Sequence, residues 1–209
     1  IDDRGSDDLT ALMSASAAGN DEIVQELIKA GADPNKVTFS GQTALGLALK
    51  QLMLARVDKK SSESAFRNTV TTLVRSPSIN IDQVCVDGKT PLIYSVGGWY
   101  TALPDIFSMI LENGADPNVE VFKGTSYRQR VLGSVLDKEV HSANFAGMPL
   151  MNVLLKTKKL DLNTDVFEGK KALIYTASHG RPDILKLLLD SGADPNVSHN
   201  PGITVLGWA

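Results

Sequence analysis

The pentapeptide Gly31-Ala32-Asp33-Pro34-Asn35 recurs as Gly114-Ala115-Asp116-Pro117-Asn118 and as Gly192-Ala193-Asp194-Pro195-Asn196. A chain that writes one string three times is assembled from copies of one supersecondary unit, and the repeat constrains the fold before composition enters. Two drifted copies fill the gaps, 78-SINID-82 and 159-KLDLN-163, the second keeping Asp161 and Asn163. The last residues of the five copies, 35, 82, 118, 163 and 196, stand 47, 36, 45 and 33 apart, a period of 33 with insertions of 14, 3 and 12. Six residues after four of the copies comes a glycine with a Thr-Ala-Leu-like segment: 41-GQTAL-45, 88-GKTPL-92, 169-GKKAL-173 and 202-GITVL-206, with 8-DLTAL-12 opening the first unit. One domain of units at about 2–34, 35–81, 82–117, 118–162 and 163–195, with a partial unit 196–209, accounts for the chain.

Within 10-TALMSASAAGNDEIVQELIKAGADPN-35, Thr10 caps a first helix that stops at Gly19, and Asn20 caps a second whose Ile23, Val24, Leu27 and Ile28 form an apolar stripe. Equivalent stripes are Ile106, Phe107, Ile110 and Leu111, then Ile184, Leu185, Leu188 and Leu189. Gly31 stands where the second helix ends left-handed, a conformation that favours glycine, while Ser78 and Lys159 fill that phase in the drifted units. No helix pair buries its stripe alone, so neighbouring units must stack.

Two motifs at one 33-residue period resemble the ankyrin repeat, whose unit carries Gly-x-Thr-Pro-Leu-His, two short helices, and then Gly-Ala-Asp and Asn. The resemblance spans nearly the whole chain and implies an all-α solenoid of stacked helix-turn-helix units with extended finger loops. Departures are local. The histidine of the tetrapeptide is replaced by Met13, Gly46, Ile93, Ile174 and Gly207, so apolar packing is expected in its place. Extra residues fall between helices in 51-QLMLARVDKKSSES-64, where the first helix runs on before a polar turn, and again in 137-DKEVHSANFA-146 after a lengthened fourth finger. The chain opens at Ile1 without an initiator Met and stops at Trp208-Ala209 inside a first helix, which reads as a fragment of a longer protein.

The charge balance, 21 Lys and Arg against 24 Asp and Glu, lacks the basic surplus that phosphate neutralisation asks of a nucleic-acid binder. The apolar run 43-TALGLALKQLMLAR-56 is broken by Lys50 and Arg56 well before a membrane-spanning length, so no membrane insertion is expected. A single cysteine, Cys85, makes no internal disulfide and points to a cytoplasmic, reducing compartment. Catalytic patterns are absent from the sequence reading: Gly88-Lys89-Thr90 imitates the end of a phosphate loop whose first glycine would fall on Gln83, and it is already explained as a repeat turn. His141, His179 and His199 lie in different units at no metal-ligand spacing, and Asp33, Asp116, Asp161 and Asp194 are a repeat apart, as loop formers are. No catalytic residue, cofactor or metal is assigned.

The surface holds the unusual residues. Four positions past each pentamer stand Phe39, Val86, Phe122, Phe167 and Asn200, finger-tip positions where the ankyrin family usually carries polar side chains. Phe39, Phe122 and Phe167 either fold back on neighbouring fingers or form an apolar row for a partner. Trp99 and Tyr100, at the inter-helix turn of the third unit, Tyr127 in the fourth finger and His179 at the equivalent turn of the fifth unit complete the candidate partner-binding set. The resemblance implies a non-catalytic protein-protein interaction module whose concave helix and finger-loop face binds a protein partner. The alternative is a regulatory or substrate-recruiting accessory domain of a larger enzyme or channel. Long insertions and drifted repeats are similar to those of host-directed bacterial or viral ankyrin proteins, or of regulatory domains in larger eukaryotic proteins.

Overall fold

Thr10 accepts a hydrogen bond from the Met13 amide at 3.2 Å and starts α1 (Ala11–Ala18), which Gly19 ends at φ 72°. Asn20 accepts from the Ile23 amide at 3.2 Å and starts α2 (Asp21–Lys29). The expected unit is thus formed from its caps inward. The same threonine caps α3 (Ala44–Val57) from Thr43 and α5 (Pro91–Val96) from Thr90, and all three threonines are buried. Between these lie α4 (Glu63–Val74) and α6 (Pro104–Glu112), with Pro91 and Pro104 at first-turn positions where no amide partner is needed.

The computed structural model describes residues 1–58, 62–85, 88–97, 102–123, 127–141, 148–167 and 169–198, with the backbone alone at 121–129, 139 and 148. It comprises two compact units, 1–115 and 116–209. In the first, α1 packs on α3 and α3 on α5, while α2 packs on α4 and α4 on α6. The inner row buries Leu12, Met13, Leu45, Leu49, Leu92 and Ile93, each contributing roughly 1.5–3 kcal/mol. Polar residues in this row satisfy themselves locally, as Ser16 does by donating to the Leu12 carbonyl at 2.7 Å. The outer row is tied by Thr72, which donates to the Asp21 carboxylate at 2.6 Å, and by the ion pair Arg67–Asp105.

The second unit opens with a hairpin of β1 (Glu120–Lys123) and β2 (Tyr127–Arg130), paired Glu120 with Arg130 through Lys123 with Tyr127. It feeds α7 (Val131–His141) and α8 (Met148–Lys156). A shorter pair, β3 (Asp165–Phe167) with β4 (Lys170–Lys171), leads into α9 (Ala172–Ser178) and α10 (Pro182–Asp190). A Cβ at Gly133 would collide with the Val166 carbonyl, so glycine is what lets β3 lie against α7. The described chain is mostly helical, and its two lengthened fingers close as small antiparallel ribbons that an all-α reading omits.

Three expectations are corrected. The apolar stripes are narrower than drawn: Val24, Ile106, Phe107, Ile110, Ile184 and Leu188 are buried, but Ile23 and Leu189 are 49% and 39% exposed, because they sit at the stripe's edge. The insertion at 51–64 is largely helix rather than loop, extending α3 to Val57 and burying Leu52 and Ala55. The left-handed residue of the fourth unit is Lys158 at φ 53°, not Lys159, and α4 ends at Val74, well before Ser78, with no left-handed residue there. At the former histidine positions Met13, Ile93 and Ile174 are buried, the apolar replacement anticipated.

Candidate functional site

The pentapeptide loops set the fingers. In each, the Asp side chain accepts from the backbone amide two residues on: Asp33 from Asn35, Asp116 from Asn118, Asp161 from Asn163 and Asp194 from Asn196, all at 2.9 Å. The terminal Asn then reaches into the next repeat. Asn35 donates to the Ser78 carbonyl and accepts from the Asn80 amide, both at 2.7 Å. Asn118 does the same with the Lys159 carbonyl and the Asp161 amide, and Asn163 accepts from the Asp194 amide. These carboxylates are loop formers, as their spacing indicates.

The first finger turns where the Thr38 amide donates to the Gln42 carbonyl at 2.9 Å, with Gly41 left-handed at φ 76°. At its tip Phe39 is 92% exposed, so it does not fold back on a neighbour. Its setting comes from the N-terminal segment. The Arg4 guanidinium lies 5.1 Å over the Phe39 ring, bonds the Val37 carbonyl at 2.6 Å and pairs with Asp8 at 2.7 Å, while Asp8 also accepts from the Phe39 amide. Arg4 and Asp8 were not in the sequence-derived set; their spacing of four was the available signal.

Phe167 is 38% exposed and stacks on Tyr175, with centroids 5.4 Å apart at 21°. His179, at the end of α9 as expected, lies 4.4 Å from the Tyr175 ring and 5.6 Å from the His141 ring. Phe167 and His179 therefore meet through Tyr175, an inner-helix residue that repeat phase alone assigns to the core. The Tyr175 hydroxyl donates to Asp137 at 3.2 Å. Burial first, then the charge and hydrogen bond of Asp137, hold that hydroxyl well above the usual phenol range. Burial likewise brings the neighbouring Lys138 amine down to about 8. Phe122 and Tyr127 belong to the β1–β2 hairpin, facing Arg128 and Lys123 across it, with their side chains outside the described set. Trp99 and Tyr100 lie outside the described residues.

Lys89 and Thr90, of the phosphate-loop look-alike, are spent on structure: the ammonium lies 5.8 Å over the Tyr94 ring and the hydroxyl caps α5. Among the described residues no three His, Cys, Asp or Glu side chains are grouped to hold a metal ion, and no helix is long and apolar enough to cross a membrane.

The family model described as ankyrin repeat matches residues 7–39 and 168–200. The chain is 30% identical over 129 residues to L86, a protein of Acanthamoeba polyphaga mimivirus named as an ankyrin repeat protein, a match taking in 55% of this chain and only 22% of the viral protein. Among solved structures, the ankyrin repeat domain of Bcl-3, titled a unique member of the IkappaB protein family, aligns with a TM-score of 0.72 at 22% identity, covering 100% of this chain and 81% of that one. The human ASB11 ankyrin repeat domain aligns at 0.55 and 21% identity, covering 90% and 72%. At these identities the two structures speak for the fold.

Proposed function

Since the chain belongs to the ankyrin-repeat family, we propose that it is a non-catalytic module that binds a protein partner on its concave helix and finger-loop face. Ankyrin repeats are in general protein-protein interaction modules, and the family is generally non-catalytic. The observation that carries the reading is Phe39. A phenylalanine at 92% exposure contributes nothing to the core, and its ring is already oriented by Arg4 and Asp8. A partner that covers it gains apolar burial with little ordering cost. Phe167, half-stacked on Tyr175, offers a second edge of the same kind, and Phe122, Tyr127, Trp99, Tyr100 and His179 complete the proposed contact set. The proposal includes a reducing, cytoplasmic setting, supported by a sole cysteine that is buried with its thiol 3.0 Å from the Lys89 carbonyl.

The test separates binding from folding. Phe39→Ala should change folding stability by less than about 1 kcal/mol, because no cavity opens, whereas affinity for a captured partner should fall by about 2 kcal/mol or more if Phe39 is an anchor. Capture by the wild-type chain, then titration of the identified partner with Ala variants of the seven positions, reads both. A partner whose affinity is indifferent to all seven would remove the finger face from consideration.

A further inference from the structure

His141 ends α7 and His179 follows α9, so stacking of adjacent repeats brings together two imidazoles that stand 38 positions apart in the chain. Their ring centroids are 5.6 Å apart and their planes at 73°. Each ring is anchored in one way. His141 Nδ1 lies 2.9 Å from the Asp137 carbonyl oxygen and 3.2 Å from Asp137 Oδ1, and His179 Nδ1 lies 2.8 Å from the Tyr175 carbonyl oxygen. A carbonyl oxygen only accepts, so Nδ1 carries the proton in both rings, and in the neutral imidazole the lone pair is on Nε2. That tautomer, with its N–H fixed on a carbonyl or carboxylate, is the one in which histidine coordinates a metal through Nε2. The Asp137 carboxylate behind His141 is in turn held by the Tyr175 hydroxyl, and both histidines are exposed to an arriving ion.

We propose that His141 and His179 form a two-imidazole site for a transition-metal ion of the Zn2+, Ni2+ or Cu2+ class, bridging α7 and α9, with water completing the coordination. Imidazole nitrogen selects these ions over Mg2+ and Ca2+, which take oxygen ligands. With two protein ligands among the described residues, the site is weaker than a four-ligand structural zinc centre. An ion that binds the stacked repeats and not the unfolded chain stabilises them by mass action.

Calorimetric titration of the whole chain with Zn2+, and separately with Ni2+, should give one saturable site. Affinity should fall by about tenfold or more in His141→Gln and equally in His179→Gln, as expected for loss of one of two ligands, and be unchanged in His199→Gln. The unfolding temperature should rise with Zn2+ in the wild type and not in the first two variants. The nitrogen spectrum of the wild-type imidazoles guards against a variant that misfolds: it should show both rings protonated at Nδ1, with the Zn2+-induced shift at Nε2. Absence of saturable binding, binding indifferent to both substitutions or lost with His199, or a shift at Nδ1 would overturn the site.

Discussion

Lys158 holds φ 53° without being glycine, and its side chain is exposed. A residue with a Cβ there carries about 1–2 kcal/mol of left-handed strain, part of which glycine returns to the unfolded chain as entropy. Lys158→Gly should therefore stabilise the fold by about 0.5–1 kcal/mol in urea unfolding. Gly192, at φ 98°, is the complementary case, since a Cβ there meets nothing within 4 Å. Gly192→Ala should cost about 1 kcal/mol from the backbone alone, and an unchanged midpoint would show that the turn relaxes out of the left-handed region. Gly19 differs: a Cβ would stand 2.8 Å from the Phe66 ring, so side-chain crowding adds to the strain. The sequence placed Gly31, Gly114 and Gly192 correctly because glycine advertises the conformation. It misplaced the fourth unit's left-handed residue by one, since a lysine gives no such sign.

At the scale of the element, the second unit shows what an insertion becomes when it continues a helical pattern. Residues 51–57 extend α3 beyond the eight residues of α1, and the extension turns Leu52 inward at 0% exposure while Leu54 stands 48% exposed. Leu52→Ala should cost about 2–5 kcal/mol through lost burial and a cavity, and Leu54→Ala under about 1 kcal/mol. Similar losses at both sites would mean that the extension packs along a different face. Polarity at 58–64 marked this segment as an interruption of the repeat, but whether the first helix or the loop absorbed it depended on α4, which lengthens beside α3. The fourth finger followed the same logic, because its extra length was legible while the pairing of Glu120 with Arg130 was not.

Within each of the two compact units, the bridging asparagines connect neighbouring repeats independently of the helix stack. Asn35 and Asn118 each join their own turn to the next one through two hydrogen bonds, one given and one received. Asn118→Ala should cost about 1–2 kcal/mol, at roughly 0.5–1.5 kcal/mol per bond, and should accelerate amide exchange at Asp161, whose N–H loses its acceptor. Asn35→Ala should do so at Asn80. Unchanged exchange at both amides would show that the loops are positioned by the helices alone.

By itself the sequence determined the repeat, its period, the caps at Thr10, Thr43 and Thr90, and the loop role of the four aspartates. Each is a local rule, a cap or turn satisfied within a few residues, and copies of it reinforce one another along the chain. The exposure of Phe39 and the meeting of Phe167, Tyr175, His179 and His141 were decided only by tertiary structure. Repeat phase says which turn a side chain occupies. Whether it is covered depends on segments outside the repeat: Arg4 and Asp8 before the first helix, and the extra residues that carry α7 to His141.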